Sequence, residues 1–233
     1  MKIALLGYGR MGKTIEKLAI ERGHTIVAKI DQNDSYDFNA ADVAIDFSVP
    51  DAAVANISSA IKSGVPVVSG TTGWLDNYSE MVALCEKENG AFIYASNFSV
   101  GVNIFFELNK KLAKMMKTLK DYQVSMTEVH HIHKLDAPSG TAITLAEGII
   151  KETDNTDWIL DAEEEHKITI KALREGEVPG THTITYKSQV DELVIEHKAH
   201  NRHGFALGAI IAAEWLKDKK GVHTMKDVLN LSE

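Results

Sequence analysis

Along the first hundred residues, short β-branched, apolar runs alternate with stretches whose apolar positions recur at helical spacing. The runs at 2–6, 25–29, 43–46, 65–69 and 92–95 read as strands, and the segments 11–21, 50–62 and 77–87 between them read as helices. The helices close on Gly23, Gly64 and Gly90, the residue type that best ends a helix. Regular strand-helix alternation predicts a parallel sheet built from βαβ units.

After Asn97 the pattern changes. A long amphipathic helix over 102–119 is followed by strand-like runs at 122–130, 167–173, 181–187 and 192–200, with one helical stretch at 139–151. These predict a mixed or antiparallel sheet with one helix inserted. Helical spacing returns at 205–216, with a short last helix at 225–229, and this tail is expected to pack back on the first domain. The expected organisation is a first domain of 1–101 completed by 206–233, with 102–205 inserted; two chain crossings then form a natural hinge.

At 233 residues and 44% hydrophobic content, the chain can bury a sizeable core as one large domain or two small ones. Its longest apolar stretch, 205–216, is interrupted by Gly208 and Glu214 and falls short of the roughly 20 residues of a membrane span. The N-terminus runs straight into a strand-like segment and does not read as a signal peptide. A formal net charge of -8 repels nucleic acid and anionic membrane, so the expected partner is a small molecule. A single cysteine, Cys85, excludes an internal disulfide framework and a multi-cysteine zinc site, which suits the cytoplasm. Its helical context points to core packing.

Two segments carry candidate chemistry. The first, Gly7-Tyr8-Gly9-Arg10-Met11-Gly12, fits the Gly-x-Gly-x-x-Gly pattern between a predicted strand and a predicted helix. Gly7 would make the tight turn, Gly9 would let the backbone approach a pyrophosphate, and Gly12 would let helix and strand pack closely. The helix start would present free N–H groups to the phosphates. Asp31, about 20 residues on, is placed to bind the adenosine ribose hydroxyls. Gly70, Thr71 and Thr72, and Ala95, Ser96, Asn97 and Phe98, follow the fourth and fifth strands, where open α/β sheets bind ligands. Together these predict a Rossmann-type, doubly wound parallel sheet in a dinucleotide-binding domain, followed by a second α+β substrate domain. Gln32 after Asp31 leans toward NADH, whereas Lys13 and Lys29 leave NADPH open.

The second segment, Glu128 to Ala142, holds three histidines, a lysine and a Pro-Ser-Gly-Thr helix start. Ser139 is a candidate N-cap, and backbone N–H groups around Gly140 and Thr141 would face an anion, most simply a carboxylate. Lys134 adds a positive charge. His130, His131 and His133 are conceivable metal ligands, but on an extended segment His130 points away from the other two and no acidic or cysteine ligand is obviously paired, so no metal is expected. Histidine is the default proton donor when hydride addition leaves a carbanion or enamine.

The run His130-His131-Ile132-His133-Lys134-Leu135-Asp136-Ala137-Pro138-Ser139-Gly140-Thr141-Ala142 closely resembles the signature of the dihydrodipicolinate reductase family. The likeness extends through the glycine-rich opening, Asp46-Phe47-Ser48, Gly70-Thr71-Thr72-Gly73, Asn97 to Asn103, Gly180-Thr181-His182 and His197 to Arg202. It implies a two-domain NAD(P)H enzyme, commonly a homotetramer, whose second domain serves substrate binding and oligomerisation. It also implies His130 as proton donor and acceptor, Lys134 as second proton donor, and His131, Gly140 and Thr141 as substrate-binding residues. Gly7 to Gly12, Asp31, Gly70 to Thr72 and Ala95 to Phe98 would touch the cofactor. The chain departs from the family in lacking an extra residue that some members carry before Arg-Met-Gly, and in having Gln32 where a basic residue would follow the acidic one.

The implied reaction is hydride delivery to C4 of a cyclic imine dicarboxylate with loss of the 4-hydroxyl as water, on the route to diaminopimelate and lysine, with domain closure excluding water. Three other readings stay open on the residues alone: another dehydrogenase on the same scaffold, a non-catalytic NAD(H) sensor, and a histidine-metal hydrolase. Arg202 stands equally for a substrate carboxylate partner or a hinge salt bridge.

Overall fold

The computed structural model describes residues 1–31, 37–201 and 203–231. Gln32 and Arg202 lie outside these. In chain order the elements are β1 (Lys2–Leu6), α1 (Arg10–Glu21), β2 (Thr25–Ile30), β3 (Val43–Asp46), α2 (Pro50–Lys62), β4 (Val67–Ser69), α3 (Tyr78–Lys87), β5 (Ala91–Tyr94) and α4 (Val100–Met116). They continue with β6 (Gln123–His130), α5 (Gly140–Ile150), β7 (Asp157–Leu160), β8 (Lys167–Arg174), β9 (Thr181–Lys187), β10 (Glu192–Lys198), α6 (His203–Leu216), β11 (Gly221–His223) and α7 (Met225–Val228). Contacts divide the chain into two units, Met1–Val100 with His203–Glu233, and Gly101–Arg202.

In the first unit six strands lie in the order β11-β5-β4-β3-β1-β2, and every neighbouring pair is parallel. Alternate residues of β1 enter opposite cores: Ile3 and Leu5 pack with Ile15 and Ala19 of α1 and Ile210 and Ala213 of α6. Ala4 and Leu6 pack with Ile57 and Ile61 of α2 and Met81 and Cys85 of α3. Helices on both faces make the sheet doubly wound and explain why its strands read as unbroken apolar runs. Cys85 is fully buried, and burial pushes its thiol pKa up.

Two details differ from the sequence expectation. Strand β11 extends the sheet beside β5 but is only three residues long, too short for any periodicity. Helix α3 is closed by Asn89 at φ 49° rather than by Gly90, asparagine being a side chain that tolerates the left-handed region.

The second unit has a five-stranded sheet in the order β10-β9-β6-β8-β7. Strand β9 runs antiparallel to β6 and β10, whereas β8 runs parallel to β6 and β7. Phe105, Leu112 and Met116 of α4 and Leu145, Ala146 and Ile149 of α5 pack on Met126, Ile168, Ile170 and Ile184 of the sheet. Strand β7 is the unforeseen member: four residues, none fully buried, give it no alternating apolar face. In β6 the period-two pattern buries Met126, Glu128 and His130 in turn, so the alternation that seats the core also takes two polar side chains inward.

Among the described residues no helix is long and apolar enough to cross a membrane.

Helix α6 comes close to the segment after β5 at Gly208, where an added Cβ would stand 1.7 Å from the Phe98 carbonyl oxygen. Gly208→Ala is therefore expected to lower stability by about 1–3 kcal/mol, as overpacking does. Urea unfolding of the full chain checks this, and an unchanged midpoint would contradict the contact.

Candidate active site

The glycine-rich segment is the turn from β1 into α1. Gly7 adopts φ +91°, which favours glycine, and a Cβ on Gly12 would stand 2.3 Å from the Gly7 carbonyl oxygen. Gly9 is the N-cap of α1, with no side-chain cap, no acidic residue in the first turn, and open space where a side chain would project. Uncapped N–H groups above an open glycine fit a pyrophosphate. Arg10 and Met11 occupy the first turn of α1. The Tyr8 hydroxyl donates to Glu16, which also pairs with Lys29 at 2.6 Å, and Lys29 lies 4.9 Å from the Tyr8 ring centroid. The Lys29 and Tyr8 hydrogen bonds hold the Glu16 carboxyl below its usual range. Lys29, a candidate for a 2′-phosphate, is thus already engaged by a carboxylate.

Asp31 follows the last residue of β2 and is exposed. Gly70, Thr71 and Thr72 follow β4, and Ala95 to Phe98 follow β5, so both segments stand at the carboxyl edge of the parallel sheet with the glycine turn. Thr71 Oγ1 accepts from the Ser48 amide at 2.8 Å, and the Trp74 indole donates to the Thr71 carbonyl at 2.7 Å. Asn97 Oδ1 accepts from the Ser99 amide at 2.9 Å, and the Phe98 ring is buried. Beneath this edge, buried Asp46 accepts from Ser48 Oγ, Asn56 Nδ2 and Ser69 Oγ at 2.7, 3.0 and 2.8 Å, tying the ends of β3 and β4 together.

In the second unit, His130 is the last residue of β6 and is buried. His131 to Lys134 form a turn closed by the Lys134 amide on the His131 carbonyl at 3.1 Å. Ser139 caps α5: its Oγ accepts from the Ala142 amide at 3.2 Å. Gly140 and Thr141 open the helix, with no acidic residue in its first turn and empty space at Gly140. The helix start and its Ser139 cap stand where the sequence placed them. Lys134 does not stand free there: its Nζ bonds both carboxylate oxygens of Asp136, at 2.8 and 2.7 Å, which holds the Asp136 carboxyl low.

Sequence reasoning missed the groups around His130. Glu128, fully buried two residues earlier on the same face of β6, meets His130 Nδ1 through Oε2. Its Oε1 accepts from Arg174 Nη2 at 2.9 Å and from the Ser139 amide at 3.2 Å. Burial alone would raise the Glu128 carboxyl, but hydrogen bonds from His130 and Arg174 outweigh it and hold the group at about 2. His182, opposite Glu128 in the β6 and β9 register, contacts Ser139 Oγ through Nε2 at 3.1 Å. Burial, reinforced by His130 and only partly opposed by the Glu128 charge, lowers its imidazole to about 3, so His182 is neutral at physiological pH. The spacing Glu128-x-His130 was a readable signal, because residues i and i+2 of a strand share a face. Arg174 and His182 come from other strands, and only the sheet register brings them in.

The acidic ligand that seemed lacking beside the histidines is thus present: Glu128, His130 and His182 offer ligand atoms within 4.8 Å of one another. The Arg174 guanidinium on Glu128 already neutralises that carboxylate and opposes a second cation, so the donor set suits proton chemistry better than a divalent ion. His133 points elsewhere, to Glu177 at 3.3 Å, and both are exposed.

Comparison with known proteins agrees with this geometry. Residues 1–98 match the family model for the N-terminus of dihydrodipicolinate reductase, and residues 101–229 match the model for its C-terminus. A protein of Christiangramia forsetii named 4-hydroxy-tetrahydrodipicolinate reductase is 58% identical over 99% of this chain and 98% of its own. One of the same name from Methanoregula boonei is 32% identical over 100% of this chain and 99% of its own. The fold is shared with the dipicolinate-bound dihydrodipicolinate reductase of Paenisporosarcina sp. TG-14, at TM-score 0.76 and 20% identity, covering 96% of this chain and 97% of that one. Both halves of the chain and its relatives lead to one assignment: the protein belongs to the dihydrodipicolinate reductase family.

Proposed function

We propose that the chain uses NADH or NADPH to reduce 4-hydroxy-tetrahydrodipicolinate to tetrahydrodipicolinate with loss of water, in diaminopimelate and lysine biosynthesis, with His130 and Lys134 as its proton-transferring residues. The observation that carries the residue roles is that one stretch of the second unit carries a buried imidazole backed by a carboxylate, a lysine, and a Ser139-capped helix start with no acidic residue in its first turn. When bound, the reduced nicotinamide supplies hydride to C4 of the ring.

The chain's residues do the rest. Gly7 to Gly12 hold the pyrophosphate, Asp31 the adenosine ribose, and Gly70 to Thr72 with Ala95 to Phe98 line the nicotinamide end. His131 and the α5 start at Gly140 and Thr141 bind a substrate carboxylate, which orients the ring and stabilises shifting charge. Lys134 exchanges Asp136 for substrate and serves the departing hydroxyl as second proton donor. His130 exchanges the proton at the carbon next to C4.

NADH is the favoured cofactor: Asp31 suits two free ribose hydroxyls, and Lys29 is neutralised by Glu16. A homotetramer is part of the same reading, supported by exposed Val190, Leu193 and Val194 on and beside the edge strand β10. So is a cytoplasmic location, which the lone buried thiol of Cys85 suits.

In an assay that generates the substrate from pyruvate and aspartate semialdehyde, Lys134→Ala and His130→Gln are each expected to lower kcat about 100-fold or more. Near-normal turnover in either variant would overturn that residue's role. Asp31→Ser should raise KM for NADH about tenfold while changing KM for NADPH much less; equal effects would remove Asp31 from the ribose. Light scattering should give four times the chain mass, and a monomer would contradict the tetramer.

A further inference from the structure

The His130 ring has two nitrogens, and only one can carry a proton to substrate. Nδ1 is turned to Glu128 Oε2, and neither atom has any other hydrogen-bonding partner among the described residues. Both are buried, so the pair satisfies itself or leaves a carboxylate oxygen and a ring nitrogen unmet. Nε2 faces Gly180, where a Cβ would stand 3.0 Å away. Glycine at that position keeps the second nitrogen uncrowded.

Glu128 is itself fixed. Its other oxygen is held by the Arg174 guanidinium and the Ser139 amide. Arg174 also donates to the carbonyls of Asp136 at 2.7 Å and Lys134 at 3.3 Å. The carboxylate therefore cannot turn away from His130 without breaking contacts to the loop that carries Lys134 and to the cap of α5. His182 is neutral and turns its Nε2 to Ser139 Oγ, so it does not compete for Glu128 as a cation.

We propose that Glu128, braced by Arg174, is a positioning residue that takes the Nδ1–H of His130 and so makes Nε2 the atom that gives and receives the proton. This rests on the reading of His130 as proton carrier. In the forward step the imidazolium Nε2–H bond breaks and the electron pair of the ring enamine forms a C–H bond beside C4 as the C=N bond is restored. The neutral ring keeps its Nδ1–H on Glu128 and regains a proton at Nε2 from solvent. A neutral partner at position 128 would instead offer a donor to Nδ1 and force the opposite tautomer, whose Nε2–H is a poor acid.

Nitrogen-15 spectra of histidine-labelled protein at alkaline pH, with the His130 signals assigned by their loss in His130→Gln, read the tautomer directly. The wild type should show the Nδ1–H form and Glu128→Gln the Nε2–H form. Glu128→Gln should also lower kcat about 100-fold while leaving NADH affinity and substrate KM within about twofold, a split that general unfolding would not give. An Nε2–H tautomer in the wild type overturns the proposal without any variant. So does Glu128→Gln with wild-type tautomer and kcat while His130→Gln is inactive, a result that leaves the proposed function standing. Activity retained in His130→Gln would instead remove the reading on which the proposal rests.

Discussion

A carboxylate sealed from water is costly unless its charge is matched and its lone pairs are filled, and Glu128 is such a group. The partners that satisfy it each do something else. Ser139, whose amide bonds Oε1, caps α5 and so sets the direction of its first turn. Arg174 pins the backbone at Lys134 and Asp136. His130 receives the second oxygen. Matching one buried charge thus pins the loop between β6 and α5 at the backbone of Lys134, Asp136 and Ser139, while Ile132 and Leu135 stay exposed. The sheet register makes this possible: β6 lies between β8 and β9, so His130 faces Arg174 on one side and Glu128 faces His182 on the other.

The first unit solves a different problem. On the proposed reading it holds anionic phosphates in a chain of net charge -8 with oriented backbone rather than surplus lysines. Lys29 is spent on Glu16 and Tyr8. What remains is close packing: the Gly7 turn folded under Gly12, and buried Asp46 joining the strand ends beneath the carboxyl edge of the sheet. These contacts fix the site geometry before any ligand arrives, which favours binding through reduced ordering cost.

Most of this was legible in the sequence. The parallel unit announced itself through unbroken apolar strands, helical periodicity and the Gly7 to Gly12 turn, each a local signal. The α5 start was legible because capping is chemistry between neighbours in the chain. The strands β7 and β11 escaped because three or four half-buried residues carry no period. Arg174 and His182 escaped because register across a sheet is a long-range property, decided by pairing rather than by local pattern. Lys134 was recognised as a charge, yet its tie to Asp136 depends on how the loop folds back on itself. The Glu128, His130 and His182 cluster is hidden for the same reason: the three histidines of one segment show no acidic partner in the local pattern, and Glu128 and His182 meet His130 only through the sheet.

The central claim is that one reduction draws hydride from the dinucleotide and a proton through His130. The direct measurement is isotope tracing: turnover with reduced dinucleotide deuterated at the transferable position, followed by mass spectrometry and proton spectra of the tetrahydrodipicolinate formed. The account predicts deuterium at C4 of the product, and, when the reaction is run in heavy water, solvent deuterium at the adjacent carbon. Product lacking the cofactor's deuterium, or dinucleotide bound without any transfer, would contradict it.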